Sequence, residues 1–198
     1  MKLVLATQNP KKLKEMNEIL SHLGVEVVSE AELGVRIEVE ETGETFTDNA
    51  RLKATAVMQA TGLPAVADDS GLCVDALNGD PGVYSARFGG EGLDDKGRYT
   101  LLLEMLRGQT DRAAHFHTSI VCAFPNGDEL VCEGECPGTI AFAPMGEGGF
   151  GYDPVFFVPE LRKTFGQLTA EEKASVSHRG KALRAFAVAL DDYLKGNE

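Results

Sequence analysis

The dipeptide Asn126-Gly127 separates two apolar, β-rich runs, Ala113–Phe124 and Leu130–Glu135. Asn-Gly readily adopts the positive φ angles of a tight turn, so the two runs are expected to pair antiparallel. Around them the chain reads as strand and helix in alternation, which alone would point to a parallel α/β sheet. An antiparallel hairpin within that order predicts a mixed sheet with helices around it. Lys2–Ala6 and Val25–Ser29 read as strands, and Lys11–His22 between them carries Leu13, Met16, Ile19 and Leu20, with Leu23 just beyond it, at helical spacing. Phe46–Thr61 reads as a helix capped by Thr45 and stopped by Gly62-Leu63-Pro64. Ala65–Asp68 is a short buried strand running into Asp69-Ser70-Gly71, where a bend is expected. Leu93–Leu106 is predicted helical, Pro144–Asp153 a glycine-rich loop and Val155–Val158 a strand. Thr169-Ala170-Glu171-Glu172 fits a capping box. A last helix from near Ser177 carries a packing stripe of Leu183, Phe186, Ala187, Leu190 and Leu194. With no repeat or linker, the 198 residues suit one domain, 1–198, or one domain with two lobes around a cleft.

Charge and cysteine content narrow the function. The net charge of −12 argues against a nucleic-acid polymer as partner, since such proteins present basic faces. A small anionic ligand remains compatible if lysines line one pocket and a divalent cation assists. No apolar run approaches the roughly 20 residues that cross a bilayer, so no membrane role is expected. The apolar start, Met1 to Ala6, is too short for a signal peptide and reads as a buried strand. Cys73, Cys122, Cys132 and Cys136 form no C-x-x-C pair, which suits reduced thiols in a cytoplasmic protein.

Four groups of residues could carry chemistry. Thr7-Gln8-Asn9-Pro10-Lys11-Lys12 lies where a strand meets a helix, and a helix N-terminus offers free N–H groups and partial positive charge to phosphate. Pro10 suits the first helical turn, and Lys11 or Lys12 can neutralise an anion. It is not a P-loop, because G-x-x-x-x-G-K-[ST] is absent. Glu38, Glu40, Glu41 and Glu44 precede the second helix, and Asp68-Asp69 end a buried strand. Such oxygen ligands are what magnesium prefers beside substrate phosphates. Asp68 and Asp69 point to opposite faces of a regular strand, and share one site only if the chain bends. In Gly146-Glu147-Gly148-Gly149-Phe150-Gly151-Tyr152-Asp153, glycines permit close backbone approach and two aromatics offer faces for a base. Lys173 and Ser177-His178-Arg179 gather donors at the start of the last helix. His115-x-His117 places two imidazoles on one strand face, but no nearby pair completes a zinc site.

Together these segments resemble the inosine/xanthosine triphosphate pyrophosphatase family, nearly end to end. The resemblance rests on Ala6-Thr7-Gln8-Asn9 with Lys12, Glu40-Glu41-Thr42-Gly43 with Phe46 and Asn49-Ala50, Lys53-Ala54, and Ala67-Asp68-Asp69-Ser70-Gly71-Leu72. It continues through Pro81-Gly82-Val83-Tyr84-Ser85-Ala86-Arg87, Gly148-Gly149-Phe150-Gly151-Tyr152-Asp153-Pro154, and Glu172-Lys173 with Ser177-His178-Arg179-Gly180. It implies an elongated mixed β-sheet with flanking helices, two lobes around a central cleft, and a homodimer. It implies hydrolysis of deaminated purine nucleoside triphosphates to monophosphate and pyrophosphate. Thr7, Gln8, Asn9, Pro10, Lys11 and Lys12 would hold the triphosphate, and Glu40 and Asp69 would bind Mg2+. Asp69 would accept the proton, with Asp68 and Lys53 close by, and Ser70 would touch substrate. Phe150, Gly151, Tyr152, Asp153, Lys173, His178 and Arg179 would shape the base and sugar pocket. Gln8 departs from the glycine usual there, which bears on affinity more than on reaction type. Two other readings are a pyrophosphatase for another modified nucleotide and a non-catalytic nucleotide-binding module. A triphosphate panel separates the first, and binding without turnover would mark the second.

Overall fold

The computed structural model describes residues 1–7 and 9–196. Among them, seven strands form one sheet, β1 (Lys2–Leu5), β2 (Glu26–Ser29), β3 (Ala65–Val74), β4 (Ala113–Ala123), β5 (Glu129–Ile140), β6 (Phe156–Val158) and β7 (Lys163–Thr164), in the order β2-β1-β3-β4-β5-β6-β7. The expected mixture of strand directions is observed. β1 runs parallel to β2 and β3, whereas β5–β6 and β6–β7 pair antiparallel. The Asn-Gly turn closes β4 onto β5, with the Phe124 N–H donating to the Asp128 carbonyl at 3.0 Å. Five α-helices accompany the sheet: α1 (Pro10–Leu20), α2 (Phe46–Thr61), α3 (Asp95–Met105), α4 (Ala170–Val176) and α5 (His178–Gly196).

The chain divides into two compact units, and β3, β4 and β5 contribute residues to both. The first comprises Met1–Asp69, Thr118–Gly134 and the chain from Lys181. Strand alternation sorts its core into two layers. Leu3, Leu5, Val27, Val66, Ile120 and Cys122 pack with Met16 and Leu20 of α1 and with Leu183, Phe186 and Leu190 of α5. The intervening residues pack on α2, where Ala67, Val121 and Ala123 meet Ala50 and Ala54, and Val4, Val28 and Ala65 meet Val57. The predicted ends of α2 are present. Thr45 accepts from the Asp48 N–H at 3.1 Å, and Gly62, at φ 68°, donates to the Met58 carbonyl at 2.8 Å.

The second unit comprises Ser70–His117 and Glu135–Gly180. Its core joins Leu72 and Val74 of β3, Leu102 of α3, Phe116 of β4, Cys136 of β5, and Phe156 and Phe165. Phe156 and Phe165 are no more than 1 % exposed, and each such burial is worth about 1.5–3 kcal/mol. The expected bend at Ser70-Gly71 is absent, because β3 continues unbroken to Val74. Continuation is favoured because it buries Leu72 and Val74 completely. β5 likewise outruns its predicted end at Glu135, continuing through Pro137-Gly138. A side chain at Gly138 would strike the Phe157 carbonyl and the Phe156 ring, so glycine is what lets β6 lie against β5.

Candidate active site

In the first unit the end of β1 delivers Thr7 to the start of α1. Asn9 caps α1, its side chain accepting from the Lys11 N–H at 2.9 Å, and Pro10 occupies the first turn. The Asn9 N–H in turn donates to Thr7 Oγ1 at 3.2 Å. Thr7, Asn9, Pro10, Glu30 and Arg36 line a cavity of about 490 Å3. A neighbouring cavity of about 290 Å3 is lined by Thr7, Glu30, Glu38 and Lys53. The structure thus brings Thr7, Lys53 and Glu38 of the acidic run to one cavity and adds Glu30, which the sequence motifs had not singled out. Gln8 lies outside the described residues, and Lys11 is exposed.

The two aspartates of β3 serve opposite faces. Asp68, in step with Val66, faces the α1 layer, where Lys12 Nζ donates to its Oδ2 at 2.7 Å. Asp68 is nearly closed to solvent, with 3 % of its side chain exposed. Asp69, in step with Ala67, faces the α2 layer, and α2 supplies both of its partners. Asn49 Nδ2 donates to Asp69 Oδ2 at 3.2 Å, and Lys53 Nζ stands 3.5 Å from Oδ1. The same ammonium donates to Glu41 Oε1 at 2.7 Å.

One ammonium therefore holds two carboxylates. Burial alone would lower the pKa of Lys53, but Asp69 and Glu41 outweigh it and raise the pKa. Burial raises the Asp69 carboxyl above its ordinary value, Lys53 and the Asn49 hydrogen bond oppose the shift, and Glu41 adds to it. A partly desolvated carboxylate of raised pKa, flanked by a cation, has the character of a general base. Glu40 is exposed, so the carboxylate that shares Lys53 with Asp69 is Glu41. Among the described residues no three carboxylate, imidazole or thiol groups form a ready metal cage. Asp69 and Glu41 instead form an open pair of oxygen donors, which suits a hard cation completed by water and phosphate.

In the second unit the glycine-rich loop has a definite shape. Asp153 Oδ2 accepts the Phe150 N–H at 2.8 Å and Lys173 Nζ at 2.5 Å. Gly149, at φ 80°, leaves no room for a side chain because a Cβ would collide with that carboxylate. Lys173 Nζ lies 4.8 Å from the centre of the Phe150 ring and 5.2 Å from that of Phe165. Phe150 is 77 % exposed, whereas Tyr152 is buried in the core with its hydroxyl donating to the Ser85 carbonyl at 2.8 Å. Of the two aromatics, only Phe150 offers an open face. Burial raises the Asp153 carboxyl, with Lys173 and the Phe150 N–H opposing. His178 opens α5 and stacks on Phe116 at 4.7 Å, next to half-buried Arg179. Ser70 is half-buried on β3.

Comparison with known proteins agrees with this architecture. The model of the Ham1 family matches residues 3–189. The chain is 50% identical to the dITP/XTP pyrophosphatase of an Exiguobacterium species over 99% of this chain and 100% of that one. It is 53% identical to the dITP/XTP pyrophosphatase of Thermus thermophilus over 97% of this chain and 93% of that one. A solved HAM1 protein from Coxiella burnetii superposes with a TM-score of 0.93 at 43% identity, covering 97% of this chain and 99% of the other. The motifs, the mixed sheet and these matches along almost the whole length converge on one assignment: the chain belongs to the Ham1 family.

Proposed function

We propose that this protein hydrolyses non-standard purine nucleoside triphosphates (ITP, dITP, XTP and dXTP) to the monophosphate and pyrophosphate, clearing deaminated purines from the nucleotide pool. The observation that carries the reading is Lys53, which holds Asp69 and Glu41 while lining the cavity that Thr7 also lines. The dITP/XTP pyrophosphatases named above support the choice of substrate. In this reading Thr7, Gln8, Asn9, Pro10, Lys11 and Lys12 hold the triphosphate through backbone N–H groups, hydroxyl and ammonium. Asp69 accepts the proton of the water that attacks the α-phosphorus, its raised pKa bringing it closer to neutral operation. Lys53 neutralises charge beside it, and Asp68 keeps Lys12 oriented. Asp69 with Glu40 or Glu41 would hold magnesium, which neutralises phosphate charge when bound. Phe150 stacks on the base, Gly151, Tyr152 and Asp153 shape its loop, and Ser70 contacts substrate. Lys173, His178 and Arg179 donate to the purine. Inosine and xanthosine present an O6 acceptor where adenine presents a donor, so donor-only groups favour the former.

A homodimer in the cytoplasm belongs to the same proposal. Four free thiols agree with that location, and no described helix is long and apolar enough to cross a membrane. Sedimentation velocity tests the dimer. A kinetic panel of ITP, XTP, dITP, GTP and ATP, with pyrophosphate detected, tests the substrate class. The expected outcome is a kcat/KM for ITP, XTP and dITP several orders of magnitude above that for ATP. Equal turnover across the panel, or binding without turnover, would overturn it.

A further inference from the structure

The loop that presents Phe150 is anchored from outside at an unassigned residue. The Gly151 N–H donates to Asp95 Oδ2 at 2.7 Å. Gly151 sits at φ 60°, in a region where glycine moves freely. Its N–H shares one rigid peptide plane with the Phe150 carbonyl. The carbonyl end of that plane accepts from the Asp153 N–H at 3.2 Å, so the Asp95 bond at the other end completes a two-point anchor that restricts the rotations beside it, including the one next to Phe150. Asp95 is itself held firmly. It occupies the first turn of α3, where Asp94 Oδ1 caps the helix by accepting from the Gly97 N–H at 2.7 Å. A carboxylate there is also favoured by the helix dipole.

We propose that Asp95 is a positioning residue for base recognition, locking the Phe150-Gly151 peptide so that the exposed Phe150 ring stays over Lys173. This rests on the reading of Phe150 as the stacking face for the purine. Asp95 acts through the acceptor that it offers to the Gly151 N–H. Asp95→Asn keeps an acceptor and loses the charge, whereas Asp95→Ala loses both.

The chain has no tryptophan, so Phe150→Trp installs a single tryptophan at the ring in question, excited selectively over the four tyrosines. In that background Asp95→Ala is expected to lower the steady-state anisotropy at an unchanged far-UV circular dichroism spectrum, and Asp95→Asn to keep it. With Phe150 in place, Asp95→Ala is expected to raise KM for ITP about three- to tenfold while kcat stays within about twofold, with Asp95→Asn near wild type. Unchanged anisotropy in the folded Asp95→Ala protein overturns the proposal. So does a loosened ring with an unchanged KM, or a KM that rises equally in Asp95→Asn. A wild-type protein that fails to turn over ITP would instead sink the functional reading, leaving the anisotropy to decide whether Asp95 holds the ring.

Discussion

Lys173→Met keeps most of the side-chain stem and removes the charge that faces Asp153. Only 4 % of the Asp153 side chain is exposed, against 23 % for Lys173, and the pair is 2.5 Å apart. Removing one partner of a buried pair costs about 3–5 kcal/mol, because the other charge is left uncompensated. The partial exposure of Lys173 and the Phe150 N–H, which still donates to Asp153, place this case near the lower end, at ~3 kcal/mol. For a chain of this size that corresponds to a melting temperature lower by about 6–12 °C. The loss should depend on pH. Burial already raises the Asp153 carboxyl in the folded protein above 3.8, and losing Lys173 raises it further. The folded state then binds more protons than the unfolded one, so stability falls as pH rises through that window and is regained below it. Thermal and urea unfolding near neutral pH and near about pH 4 should show a large deficit in the first and a small one in the second. Adding Asp153→Asn to Lys173→Met should recover most of the neutral-pH loss. A deficit under about 1 kcal/mol at neutral pH, the size of a surface pair, would refute a buried, uncompensated Asp153 charge. A deficit independent of pH would refute it equally.

Asp69→Asn should lower kcat for ITP on the order of a hundredfold or more at saturating magnesium, and near-wild-type kcat would remove Asp69 from the chemistry. A chelator should abolish activity and magnesium restore it. Comparing Glu40→Gln with Glu41→Gln then shows which glutamate serves the metal: the one that does should raise the magnesium concentration needed for half-maximal rate by about tenfold. Arg179→Ala should reduce kcat/KM for ITP far more than the low rate for ATP, and an unchanged ITP-to-ATP ratio would show that Arg179 does not read the base.

Where the physics was local, the sequence carried it. Thr45 and Gly62 bound α2, Pro10 opens α1, and the Asn-Gly turn joins β4 to β5, whereas Asn9, read as a phosphate contact, also caps α1. The features that escaped depend on distant partners. Ser70-Gly71 read as a bend because a glycine beside polar residues breaks strands locally, yet the buried Leu72 and Val74 draw β3 straight on. Pro137-Gly138 hid the far half of β5 for the same reason, since the value of that glycine lies in the approach of β6. Asp68-Asp69 was legible as an acidic pair, but the bend expected to turn both toward one site is absent, and they keep the opposite faces of a regular strand. That each face would carry its own lysine, Lys12 and Lys53, required knowing where α1 and α2 pack. Glu41 was visible only as one of several neighbouring glutamates, and nothing in their spacing marked it as the partner of Lys53. Phe150 and Tyr152 looked equivalent until the core of the second unit claimed one of them.

Hydrolysis of ITP in 18O-labelled water shows whether the attacking water strikes the α-phosphorus. Attack at that atom leaves the label in IMP and the pyrophosphate unlabelled. IDP and orthophosphate as primary products, or label in the pyrophosphate, would contradict it.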